Sequence, residues 1–124
     1  MKILESAENY LETILVLHER LPHVRSIDIV NELGFSKPSV SVAMKGLREK
    51  GLITMDSDGY ITLTESGLEI AEMIYERHKL LSGWLTWLGV DPKTAAEDAC
   101  RIEHVISKES FEMIKRHISA NGEI

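Results

Sequence analysis

A mainly α-helical fold is predicted: an N-terminal winged helix-turn-helix with a small β-hairpin wing, linked by a long helix to a C-terminal helical domain. Three observations predict it. Apolar residues recur at helical spacing in four separate stretches, two of those stretches are short and meet at a tight turn around Gly34, and a β-rich segment centres on Asp58-Gly59.

Residues 5–19, "ESAENYLETILVLHE", place Ala7, Leu11, Ile14 and Leu15 on one helical face, with Asn9 and Glu12 together on an adjacent one. After "RLPHVR", Ser26 is expected to cap a short helix, "SIDIVNEL", with Ile27, Val30 and Leu33 inward and Gly34 at its end. Ser36 is the expected cap of a third helix, Pro38 suits its first turn, and Val40, Ala43, Met44 and Leu47 form its inward stripe before Gly51. The opposite face presents Lys37, Ser41, Lys45 and Arg48 at spacings of four, four and three. Two short helices joined this way, the second basic and small outward, suit entry into a DNA major groove. "LITMDSDGYITLT" follows and reads as the hairpin wing.

From Thr64 a helical stripe of Ala71, Ile74, His78, Leu81, Leu85 and Leu88 returns. This linking helix is predicted from Glu65 to a point between Lys79 and Leu88, with Gly83 a candidate break and Gly89 closing the apolar run. Asp91 with Pro92 opens a further helix, and Ser107 with Glu109 or Ser110 opens a last one to about Ser119. The tail "ANGEI" is expected to fray. The domain reading is residues 1–64 for DNA binding and 65–124 for the helical remainder.

A chain of 124 residues can bury one core or two small modules sharing a long element. Its balance of 44% hydrophobic and 27% charged residues, with no repeat or low-complexity tract, predicts a folded soluble protein. No run approaches the ~18 apolar residues of a membrane span, and Glu5 and Glu8 interrupt any secretory core, so a cytoplasmic location is expected. The net charge of −6 argues against a polyanionic partner, yet Lys37 to Lys50 holds four cations against one anion. The basic charge is local.

"EDACRIEHVI", residues 97–106, holds the only cysteine. Cys100, Glu103 and His104 stand at i, i+3 and i+4, so a helix aims a thiolate, a carboxylate and an imidazole at one spot. The ordinary alternative makes Cys100 a small buried hydrophobe and Glu103 and His104 a solvated surface. His78 interrupts an apolar stripe facing the same module, where an imidazole without a partner would cost roughly 1–3 kcal/mol. A hydrogen-bonded core histidine is its plain reading. There is no glycine-rich phosphate loop, GxSxG, HExxH or CxxC, and a Cys100 and His104 nucleophile pair lacks a recognisable oxyanion hole. Neither enzymatic activity nor a small-molecule substrate is expected.

The segments "ENYLETI", "SKPSVSVAMKGLREKGLI", "LTESG", "ERHKLL" and "DACRIEHVIS" together resemble the metal-dependent repressor family of the diphtheria toxin repressor and the manganese transport regulator. The resemblance implies a metal-activated transcriptional repressor of metal homeostasis genes that binds a palindromic operator in double-stranded DNA as a homodimer. It implies a helical dimerisation and metal-binding domain over residues 65–124, with metal ligands at His78, Cys100, Glu103 and His104 there and at Glu12 in the first helix. Asn9 occupies the position where iron-type members have methionine and manganese-type members aspartate. Ser82 and Ala96 replace an ancillary carboxylate and histidine, which implies one metal per subunit. Cys100 follows the iron-type pattern, so Fe²⁺ is favoured, Mn²⁺ is compatible, and Co²⁺, Ni²⁺ or Zn²⁺ are expected substitutes in vitro. On the DNA side the implied contacts are Ser36, Lys37, Pro38, Ser39, Ser41, Lys45 and Arg48. The likeness ends before the third, SH3-like domain of longer members, so no role of that domain is expected. Two alternatives remain at this stage: a winged-helix regulator without metal control, and a metal-binding or protein-interaction module that does not touch DNA.

Overall fold

The computed structural model describes residues 5–120. Helix α1 spans Glu5–Arg20, α2 Ser26–Leu33 and α3 Lys37–Glu49; strands β1 (Ile53–Met55) and β2 (Ile61–Leu63) follow, then α4 (Glu65–Leu88), α5 (Pro92–Val105) and α6 (Lys108–Ala120). The segment 121–124, and with it most of the tail expected to fray, lies outside the described residues. Two compact units divide between Glu72 and Met73, so α4 begins in the first and ends in the second.

In the first unit, α1, α2 and α3 enclose a core built from Leu11, Ile14, Leu17, Val24, Ile29, Val40, Met44 and Leu47. Ser36 caps α3 as expected, its hydroxyl oxygen accepting from the Ser39 amide, and Pro38 sits in the first turn. The tight turn before it needs Gly34, whose φ of 72° lies in the left-handed region that side chains disfavour. The strands pair antiparallel with Ile53 opposite Leu63 and Met55 opposite Ile61. Asp56 shapes the turn between them by accepting the amides of Asp58 and Tyr60 at 2.9 Å. The Ile61 amide donates to the Val24 carbonyl, and His18 Nε2 stands 2.9 Å from the Ile61 carbonyl, which ties the wing to α1 and its following loop. Gly67 lets the first turn of α4 press against Leu52; a Cβ there would overlap the Leu52 carbonyl oxygen.

Four expectations change. Ser26 is the first residue of α2 and not its cap. Arg25 is the cap position, its amide donating to the Asp28 carboxylate at 2.8 Å and its carbonyl accepting from the Asp28 amide. Ile27 is 43% exposed while Ile29 is buried, because Ile29, Val30 and Leu33 form the contiguous stripe and Ile27 is rotated off it by about 100°. Gly83 does not break α4. A helical glycine costs only about 1 kcal/mol, and the flanking Leu80, Leu81 and Trp84 pack with Ala99, Ile102 and Phe111 in the second core. Leu88, the last residue of the expected inward stripe, is exposed because α4 outruns that core, and Trp87 beside it is exposed too.

In the second unit, Asp91 caps α5 by accepting the amides of Lys93 and Thr94. Ser107 likewise accepts the Ser110 amide at the start of α6. Among the described residues no helix is long and apolar enough to cross a membrane.

Candidate metal centre and recognition helix

One helical turn of α5 carries the opening constellation. The ligand atoms of Cys100, Glu103 and His104 all lie within 4.8 Å of one another. Burial among them is the reverse of the ordinary reading: Cys100 is exposed, whereas Glu103 is 0% exposed and the His104 side chain nearly so. His78, from α4, brings its Nδ1 to 2.9 Å from Glu103 Oε2. Glu103 Oε1 stands 3.4 Å from His104 Nε2, within ion-pairing reach, but accepts no hydrogen bond. A buried carboxylate oxygen without a hydrogen bond fits a cation, and the sulfur and imidazole beside it are the right donors.

In the tautomer whose Nδ1 donates to the carboxylate, the His78 ring presents Nε2 as a ligand atom. Asn9 and Glu12 stand three residues apart on α1, in the first unit. Glu12 is buried, and the backbone carbonyl of Asn9 accepts the Thr13 hydroxyl at 2.8 Å.

Arg77 is the residue the sequence reading passed over. It is buried, and Nη1 donates to the carbonyls of Glu103 and Ile106, both at 3.1 Å. Its guanidinium also lies over the Phe111 ring, 5.3 Å from the centroid. The pair of bonds satisfies two of the carbonyls that a helix end leaves without partners and clamps the last turn of α5 to α4 and α6. A signal was present, since Arg77 lies three residues after Ile74 and four before Leu81, on the inward stripe beside His78.

On α3, Lys37, Ser39, Ser41, Lys45 and Arg48 are all exposed. Ser36 is exposed as well, but its hydroxyl is engaged in the cap and donates to Ser39 Oγ at 2.8 Å. Exposed Lys37, Lys45 and Arg48 lie outside the core stripe of Val40, Met44 and Leu47, so α3 presents an outward cationic edge.

The family profile described as "Iron dependent repressor, N-terminal DNA binding domain" matches residues 2–64, and that described as "Iron dependent repressor, metal binding and dimerisation domain" matches residues 64–120. The chain belongs to the iron dependent repressor family. It is a family of DNA-binding transcriptional regulators and not of enzymes. An HTH-type transcriptional regulator of Methanocaldococcus jannaschii is 35% identical over 113 residues, covering 90% of each chain. Transcriptional regulator MntR of Escherichia coli is 32% identical over 118 residues, 95% of this chain and 76% of that one. The solved manganese regulator SloR superposes with a TM-score of 0.80 at 27% identity, over 96% of this chain and 55% of that one. The chain thus spans about half the length of that structure.

Proposed function

We propose that this chain is a cytoplasmic repressor of metal-ion homeostasis genes that binds a palindromic operator as a homodimer when a divalent cation is bound. The observation that carries the reading is the buried Glu103 oxygen without a hydrogen bond, set among Cys100 and His104, in a chain whose α3 presents an outward cationic edge. Cys100, Glu103 and His104 are the core of the ligand set, with His78 from α4, Glu12 from α1, and Asn9 beside Glu12. A bound divalent cation supplies the positive charge that lets these acidic donors share one site.

Arg77 holds the last turn of α5 so that Glu103 and His104 keep their positions. Metal loading would set the separation of the two α3 helices in the dimer near one DNA turn, ~34 Å, and so select the binding geometry from the ensemble. Exposed Trp87, Leu88 and Met113 in the second unit supply apolar surface for the dimer contact, while Trp84 packs inward. Cys100 favours Fe²⁺ over Mn²⁺, and the manganese named for SloR makes Mn²⁺ the second choice.

The test is anaerobic calorimetric titration of wild type and His104→Ala with Fe²⁺ and Mn²⁺, paired with DNA binding across salt concentrations. Wild type is expected to take one cation per chain and to bind DNA only when loaded. Equal metal uptake by both proteins, with equal DNA binding, would refute the proposal.

A further inference from the structure

The outward midline of α3 runs through Pro38, Val42, Lys45 and Glu49, at spacings of four, three and four, opposite the buried Val40, Met44 and Leu47. Val42 on that line is 72% exposed. A single exposed aliphatic residue is ordinary on a protein surface. This one stands at the centre of the face that carries Lys37, Ser39, Ser41, Lys45 and Arg48. As a β-branched residue in mid-helix it is also a poorer helix former than alanine or lysine, with no packing on its own chain to offset that.

We infer that Val42 is the specificity contact of α3 and recognises thymine through its 5-methyl group in the major groove. The inference rests on the DNA-binding reading above. An isopropyl group offers no donor or acceptor, so it cannot pair with the edges of guanine, adenine or cytosine. Pressed against the cytosine amino group, it would leave that donor without a partner. Thymine alone presents a methyl group in the major groove, and contact with it removes apolar surface on both sides from water. The surrounding cations hold α3 to the phosphates, and Val42 then reports which base lies beneath the midline.

The experiment uses the full chain loaded with Fe²⁺ or Mn²⁺ and duplexes that wild type selects from a random 30-base-pair library. Each thymine in a selected duplex is replaced singly by deoxyuridine, and the affinities of wild type and Val42→Ala are compared by fluorescence anisotropy. Wild type is expected to lose about fourfold in affinity at one thymine per half-site, the factor that burial of one methyl-sized group corresponds to. Val42→Ala is expected to bind the thymine duplex more weakly by a similar factor and to ignore that replacement. Alanine suits an exposed helical position, and an unchanged thermal midpoint confirms that the variant folds. If wild type tolerates every deoxyuridine, or if Val42→Ala keeps the full penalty, the inference is overturned while the repressor reading stands. Recovery of no duplex by loaded wild type would overturn both.

Discussion

Nδ1 of His78 lies 2.9 Å from Oε2 of Glu103, while Oε1 of the same fully buried carboxylate has no hydrogen bond. The two oxygens therefore have different partners to find. One orients an imidazole, and the other is open to a cation whose charge would offset the cost of burying the carboxylate. Glu103→Gln keeps the volume and, through the amide oxygen, the acceptor for His78, but removes the charge. Metal affinity is expected to fall at least ~10-fold, with stability in the absence of metal held or raised. Calorimetric titration beside a thermal melt checks both; unchanged affinity would show that Glu103 is a structural acid.

Arg77 bonds two carbonyls at the end of α5 from the buried face of α4. Arg77→Met retains much of the apolar stem and strands both acceptors. A loss of roughly 2–3 kcal/mol in unfolding free energy is expected by urea titration, together with weaker metal binding. A variant within about 0.5 kcal/mol of wild type, the range of ordinary surface changes, would mean that water replaces the guanidinium without cost.

Gly67 has no room for a side chain, because a Cβ there would run into the backbone carbonyl of Leu52. That carbonyl also accepts the Thr64 amide and cannot shift freely. Gly67→Ala is expected to cost about 1–3 kcal/mol despite the better helix propensity of alanine. A stabilised variant in the same denaturation experiment would contradict the tight approach of α4 to the wing.

Lys45 stands next to Val42 on the outward face of α3. Lys45→Ala is expected to weaken binding to selected and unselected duplexes alike and to lower the slope of log affinity against log salt by about one. An unaltered slope removes Lys45 from the phosphate contacts.

Cys100 is the one soft donor of the cluster and is exposed. Cys100→Ser is expected to lower affinity for Fe²⁺ more than for Mn²⁺, so that their ratio shifts by ~10-fold toward Mn²⁺. Parallel titrations with the two ions measure it, and a constant ratio would exclude the thiolate from the ligand set.

The sequence alone determined the helices, the hairpin and the convergence of Cys100, Glu103 and His104. Each of these follows from rules that act within a few residues: helical spacing, the caps at Ser36 and Asp91, the left-handed turn at Gly34, and the i, i+3, i+4 geometry of one helix. Only tertiary structure decided which of the three donors is buried. The packing of α4 and α6 on α5 encloses Glu103 and leaves Cys100 outside, a choice that no single helix contains. The same holds for Ile29 in place of Ile27 in the first core, and for Gly67 against Leu52. It holds most plainly for Arg77, whose carbonyl partners lie 26 and 29 residues away. On the sequence it is a cation on an apolar stripe, and its role exists only because folding brings the end of another helix within reach of its guanidinium.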